Sequence, residues 1–183
     1  MTKNTSGTQT IFPFVYLKQC AHFHLQESEN SHQNPFHSSM SCIIFSAFTM
    51  EAFLNYMGSC VFDFWEELER HLTSVNKLNV ICSQLKIPTD FSDRPFQSFV
   101  KAFNLKYYLN QGKIESYSQA VSLSSAAFPS AQPEWEKQCT PEEARTIYED
   151  MLQIMESLSQ KIEGESYPLS IDEVNPADLP HNS

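Results

Sequence analysis

Helical spacing dominates the pattern of apolar and polar positions along this chain, and the alternation typical of strands is weak throughout. Apolar residues that recur at three- and four-residue steps predict about five helices. The first runs from about Phe14 to Asn30, and a long second helix runs from about Ser39 to Arg70. Because the first half of the second helix is apolar nearly all round, it belongs in the centre of a bundle. We therefore predict an all-α, up-and-down helical bundle.

Capping and stop residues mark the ends of the other three helices. Ser74 is predicted to cap the third helix, Pro95 opens the fourth, and Gly112 ends it. The fifth helix starts at the sequence "TPEE", where Thr140 is the predicted N-cap and Glu143 completes a capping box.

The predicted helices form a single domain over residues 12–164, with a flexible N-terminus at 1–11 and a loose C-terminal tail at 165–183. The fifth helix is predicted to end at Gly164, and residues 114–139 form a long connection rich in serine, alanine and proline. A chain of 183 residues is long enough for one core and too short for two domains of ordinary size.

Composition excludes several classes of function. The chain has only four glycines and neither of the two glycine-rich phosphate-binding motifs, which excludes nucleotide binding by those loops. Its five scattered cysteines include no C-x-x-C pair, as expected of reduced thiols in the cytoplasm. Four histidines between positions 22 and 37 lack metal-ligand spacing, so we predict no metal site, and we predict no cofactor. The apolar stretch "CIIFSAFTMEAFLNYMG" at 42–58 is short for a membrane span and contains Glu51, which favours a core helix.

The net charge of −10 is distributed unevenly along the chain. Residues 1–69 carry a net charge of −5, residues 70–113 carry +5, and residues 114–183 carry −10. The middle segment offers a candidate anion- or nucleic-acid-binding face, which comprises Arg70, Lys77, Lys86, Arg94, Lys101 and Lys113. The plainer interpretation, which we favour, is that these cations neutralise the acidic C-terminal helix across a helix–helix contact.

The sequence "KAFNLKYYLNQGK" at 101–113 places polar residues on the phenylalanine stripe of the fourth helix. Counting by threes and fours along that stripe leads to Lys106 and Asn110, so Lys106 points inward. An inward ammonium must find a carboxylate, reach water in a cleft or lose its proton. On the second helix, Glu51 stands among apolar residues, and Asn55 follows one turn later on the same face.

Two interpretations of these polar residues are open. The plainer one is a buried Glu51–Lys106 ion pair inside the bundle, and from the residues alone we favour it. The functional one makes these residues, with Asn55, Asn110 and Gln111, the floor of a polar cleft.

Three stretches, "SAFTMEAFLNYMG", "LTSVNKLNVICSQLKI" and "RPFQSFVKAFNLKYYLNQGK", resemble the HEPN (higher eukaryotes and prokaryotes nucleotide-binding) superfamily. The resemblance covers residues 40–113 and extends to the capped fifth helix. In many members a Pro-Phe-Gln opens the fourth helix, which ends in Phe-x-x-Arg-Asn-x-x-x-His-Gly-Lys. Family ribonucleases use that Arg and that His, usually brought together across a dimer, to cleave RNA and leave cyclic phosphate ends.

This chain keeps the frame of the motif and lacks its reactive residues. Phe103 and the final Gly-Lys match in register, whereas Lys106 replaces Arg, Tyr107 replaces Asn and Gln111 replaces His. Glutamine cannot transfer a proton near neutral pH, and lysine lacks the planar fork that grips phosphate at two points. The resemblance therefore implies a vestigial active-site cleft, whose candidate residues are Glu51, Asn55, Lys106, Tyr107, Asn110 and Gln111.

The resemblance implies a catalytically degenerate cytoplasmic protein, a homodimer that acts as an interaction or regulatory module. A toxin–antitoxin or defence setting, with a partner protein encoded nearby, is the expected context. Two alternatives are left open: an RNA- or nucleotide-binding protein that uses the basic segment 70–113, and a residual metal-independent endoribonuclease.

Overall fold

A computed structural model describes residues 11–31, 34–112 and 133–162, apart from the side chain of Glu134. Within these ranges it contains seven helices and no strand. They are α1 (Pro13–Asn30), α2 (Phe36–Val61), α3 (Trp65–Leu68), α4 (Ser74–Gln84), α5 (Phe96–Gln111), α6 (Glu134–Lys137) and α7 (Pro141–Ser159). The predicted all-α bundle is confirmed. The helix count is seven rather than about five, because α3 and α6 are single turns that periodicity does not register.

The central helix is α2, as its nearly uniform apolarity predicts. It packs against α1, α4, α5 and α7, and its Met50, Phe53 and Leu54 side chains are fully buried. By length and composition α2 could also cross a membrane, and half of its most apolar 18-residue stretch lies buried within the protein. The core helix of a soluble protein passes the same test.

The predicted second helix ends too late, because α2 stops at Val61 rather than at Arg70. Phe62 adopts an extended conformation, and the chain turns back so that the Trp65 indole packs on Gly58. A Cβ atom at position 58 would overlap that indole, and Trp65 is only 2% exposed. Gly58 therefore admits the folded-back ring, and α3 and a 3₁₀ turn at Glu69–His71 replace the predicted continuation.

The start of α4 and the end of α5 agree closely with the sequence. Thr73 rather than Ser74 caps α4, since the Thr73 hydroxyl accepts the backbone N–H of Asn76. Gly112 ends α5 with a φ of 57°, a left-handed conformation that glycine adopts without strain. The end predicted for the last helix at Gly164 is wrong, because α7 already ends at Ser159 and residues 160–162 form turns.

The capping box predicted at the start of α7 is half formed. The Thr140 hydroxyl accepts the backbone N–H of Glu143 at 3.2 Å, as predicted. The Glu143 carboxylate binds Lys101 on α5 at 2.6 Å instead of closing the box. Thr140 therefore caps α7, and Glu143 attaches α7 to α5.

Several predictions fall outside the described residues. They concern positions 1–10, the tail at 165–183, and Lys113. The same holds for most of the connection 114–139, of which the structure describes 133–139. In that part, the Trp135 ring lies 6.0 Å from the Phe36 ring and 5.8 Å from the Tyr108 ring, measured between centroids.

Candidate functional site

The inward-pointing lysine of α5 meets the glutamate of α2. The Lys106 ammonium donates to the Glu51 carboxylate, and the two side chains are 23% and 35% exposed. The same ammonium lies 4.8 Å from the centroid of the Phe48 ring and 5.4 Å from that of Phe103. Lys106 is therefore held by one carboxylate and two aromatic faces, the arrangement in which a cation is stabilised by ring quadrupoles as well as by its counter-ion.

Asn55 does not join this pair, although it lies one turn along α2 from Glu51. Its side-chain oxygen accepts the Lys77 ammonium of α4 at 2.6 Å. Lys77 is only 7% exposed, so this contact lies in the interior between α2 and α4. Glu51 and Asn55 of α2 thus contact different helices, α5 and α4, so Asn55 lies outside the predicted cleft.

The remaining predicted cleft residues occupy the outer surface of α5. Asn110 is exposed and borders the same groove as Lys106. Tyr107 is 66% exposed, and Gln111 is an exposed residue at the last position of the helix. Of the six predicted cleft residues, Glu51 and Lys106 contact each other, and Asn110 lines the same groove as Lys106.

An open groove of about 440 Å³ runs between α2 and α5 beside the ion pair. Its walls are Met40, Ser41, Ile44, Phe45 and Phe48 from α2, and Lys106, Leu109 and Asn110 from α5. The α2 wall was missed by sequence reasoning, because an all-round apolar helix gives no sign of which apolar residues stay uncovered. The groove is mostly apolar, and Lys106 supplies its one charged side chain among the described lining residues.

Two of the candidate basic-face residues neutralise α7, as the plainer interpretation predicts. Arg94 donates from Nε and from a terminal nitrogen to the two oxygens of Asp150, at 2.7 and 2.8 Å. Lys101 binds Glu143, one turn into the same helix. With Lys77 turned into the interior, the exposed members of the face among the described residues are Arg70, Lys86 and Arg94, and Arg94 is already bound by Asp150. These contacts disperse the predicted face.

Asp150 is the most enclosed carboxylate of these pairs, with a side chain 4% exposed. It also accepts the Ser98 hydroxyl at 2.6 Å. Burial by itself would raise the pKa of Asp150. The hydrogen bonds from Arg94 and Ser98, with the charges of Arg94 and Lys101, outweigh burial and hold that pKa below its usual value.

The buried thiols are unsuited to nucleophilic chemistry. Burial raises the pKa of Cys42 to about 12, and it raises the pKa of both Cys82 and Cys139 to about 11. Since the thiolate is the reactive form, these cysteines are inert near neutral pH. Across residues 11–31, 34–112 and 133–162, no group of three or more histidine, cysteine, aspartate or glutamate side chains could hold a metal ion.

Comparison with known proteins does not assign this chain to a family. No protein-family model, no characterised protein and no solved structure matches this chain. The resemblance to the HEPN superfamily is therefore a prediction from the sequence motifs.

Proposed function

We propose that this protein is a catalytically degenerate HEPN-like protein that acts as a dimeric interaction or regulatory module. The observation that supports this proposal most directly is that Glu51 and Lys106 bind each other beside a groove that is mostly apolar. The Glu51 carboxylate is already bound by the Lys106 ammonium, and the amide of Gln111 cannot carry a proton near neutral pH. The site therefore lacks a group suited to general acid–base cleavage of RNA.

The character of the groove favours binding of protein over chemistry. Interface cores are depleted in charged residues and enriched in aromatic residues and methionine. The α2 wall supplies Met40, Phe45 and Phe48, and the groove remains accessible between two long helices. A toxin–antitoxin or defence setting, with a partner protein encoded nearby, is the context that we propose for such a module.

The ion pairs of the basic segment argue against nucleic-acid binding as the main function. Phosphate binding depends on cations that are free to displace counter-ions. Arg94, Lys101 and Lys106 are each bound to a carboxylate within the chain. The segment 70–113 therefore offers less available positive charge than its net charge of +5 suggests.

The proposal is tested with the full chain and labelled single-stranded RNA in the presence of EDTA. We expect no cleavage, and no binding that weakens with salt. The informative variants are Lys106→Ala and Glu51→Ala, with Lys161→Ala as the control, because Lys161 is an exposed cation outside the basic segment.

Each alternative function has its own signature in this experiment. Metal-independent cleavage that disappears in Lys106→Ala and Glu51→Ala, and persists in Lys161→Ala, would establish a residual endoribonuclease and overturn the proposal. Binding that weakens with salt and with Lys106→Ala would establish an RNA-binding protein instead.

A further inference from the structure

A smaller pocket, of about 190 Å³, lies between the connection that follows α4, the start of α5 and the last turns of α7. We call it the α7 pocket. One of its walls is fixed where α4 ends, because Lys86 adopts a left-handed φ of 57° and the Ile87 N–H donates to the Cys82 carbonyl at 2.8 Å. The apolar residues that line the pocket are Ile87, Pro88, Pro95, Phe96, Ile154 and Leu158.

The size of the α7 pocket suits a few side chains from a short segment. Its volume of about 190 Å³ is below the roughly 300–1,000 Å³ typical of small-molecule sites. A pocket of this size also offers only part of the roughly 800 Å² that each partner buries in a standard protein interface. A short peptide segment is therefore the occupant that fits it.

The chain itself supplies such a segment directly after α7. The last described residue, Ile162, packs against the core four residues beyond the pocket residue Leu158. Tyr167 follows five residues later, and five extended residues span up to about 17 Å. Gln153 is the α7 residue of the pocket farthest from Ile162 along the chain, and it lies about 14 Å away at the helical rise of about 1.5 Å per residue. A segment that begins at Tyr167 therefore reaches the whole α7 wall.

The sequence of this segment, "YPLSI" at 167–171, provides apolar side chains in a suitable pattern. Tyr167, Leu169 and Ile171 stand at every second position, so they share one face when the segment is extended. Pro168 disfavours a helix here and favours an extended residue before it. The segment can therefore present its apolar side chains to the pocket together.

Charge favours the same segment. Lys86 directly precedes the wall residue Ile87, is exposed, and forms no ion pair with a described residue. The nearest acids in the sequence, Asp90 and Asp93, accept backbone N–H groups of their own connection. Residues 163–173 carry four acidic residues and no lysine or arginine. Lys86 is therefore a cation available to an acidic segment that enters the pocket.

We propose that residues 167–171 bind the α7 pocket of their own chain, with Tyr167 and Leu169 as the buried anchors. The short connection to α7 holds the segment at an effective concentration in the millimolar range, so weak binding is enough to fill the pocket. The contact ties down a tail that local composition predicts to be loose. It uses a surface apart from the groove between α2 and α5, and it does not depend on the proposed function.

The contact is tested by disulfide trapping in the full chain. Cys20→Ser and Cys60→Ser remove the exposed thiols, and Gln153→Cys with Ser170→Cys places one thiol at the pocket and one in the segment. The control pair is Asn104→Cys with Ser170→Cys, since Asn104 is exposed on α5 outside the pocket. Under mild oxidation we expect the pocket pair to form its disulfide at least about 10-fold faster than the control pair, because binding raises the effective concentration of the two thiols. Peptide mapping by mass spectrometry identifies the linked residues.

A second set of variants tests the anchors. Adding Tyr167→Ser and Leu169→Ser to the pocket pair should lower its rate to that of the control pair, because the apolar side chains that fill the pocket are gone. Adding Ser166→Ala instead should leave the rate unchanged. Equal rates for the two cysteine pairs, or a rate that survives the loss of both anchors, would overturn the inference. Circular dichroism verifies folding, and the exposed pocket residue Ser157 takes the cysteine if Gln153→Cys loses helix content.

Discussion

The two ends of α5 carry cationic contacts of opposite character. Just before the helix begins, Arg94 binds both oxygens of Asp150, whose 4% exposed side chain also accepts the Ser98 hydroxyl. Near the helix end, Lys106 binds Glu51, and both side chains remain partly exposed beside an open groove. In the first contact the Asp150 carboxylate is enclosed while the Arg94 side chain is 56% exposed, whereas in the second contact both side chains, the carboxylate included, are partly exposed.

The comparison shows that ion pairs of similar chemistry have different roles when their surroundings differ. A buried carboxylate with several donors loses all of them when it is removed, so it contributes to the stability of the fold. A pair that water reaches contributes little to stability. The Lys106–Glu51 pair is a candidate for function because it lies beside a mostly apolar groove that the described residues leave open. The Arg94–Asp150 contact instead holds the start of α5 against α7.

The largest effect is expected from Asp150→Ala. This substitution leaves the Ser98 hydroxyl, which is 1% exposed, without its acceptor and removes both Arg94 contacts. Since hydrogen bonds to buried charged groups are worth about 1.5–3 kcal/mol, we expect the free energy of unfolding to fall by about 2–3 kcal/mol in urea titrations. The neighbouring exposed Glu149→Ala should change it by less than about 0.5 kcal/mol. Equal effects of the two variants would show that the clamp is absent.

Acid should remove part of the stabilisation that Asp150 provides. Its pKa is lower in the folded chain than in the unfolded chain, so its contribution is fully present above the unfolded value of about 3.9. That contribution is lost as the pH falls through the lower folded value. Urea titrations of the wild type and Asp150→Asn should therefore converge as the pH drops below about 4. A difference that stays constant into strong acid would contradict the lowered pKa.

For a third polar contact, between Lys77 and Asn55, we expect a contribution to stability smaller than that of Asp150 and larger than that of the Lys106–Glu51 pair. Asn55→Ala leaves a nearly buried ammonium without its acceptor, and we expect a loss of about 1–2 kcal/mol in urea titrations. The double variant Asn55→Leu with Lys77→Met should recover most of this loss, since an apolar pair of similar size needs no hydrogen bond. The exposed Asn104→Ala is the control. Failure of the double variant to recover stability would mean that the lysine is needed for packing instead.

The smallest effect is expected at the groove. Glu51→Gln and Lys106→Met should each change the free energy of unfolding by less than about 1 kcal/mol, because the pair is partly exposed. A double-mutant cycle in urea measures the coupling of the two side chains directly. A coupling above about 2 kcal/mol would make this pair a clamp like Asp150, and the contrast between the two ends of α5 would disappear.

The candidate site was partly readable from the sequence. The spacing of α5 places Lys106 inward and the spacing of α2 places Glu51 toward the core, and the structure joins them. The partner of Asn55 could not be predicted, because a central helix has several neighbours and periodicity does not say which of them a polar residue contacts. Lys77, its actual partner, was assigned to a surface face for the same reason.

The sequence by itself determined the class of fold, most helix ends and the inward direction of Lys106, because these depend on local spacing and on capping chemistry. The tertiary structure alone decided that α2 stops at Val61, that Arg94 reaches Asp150, and that the described helices leave the groove beside Phe48 open. Each of these depends on which elements meet in space. In the sequence, an apolar residue that a neighbouring helix covers cannot be distinguished from one that stays exposed.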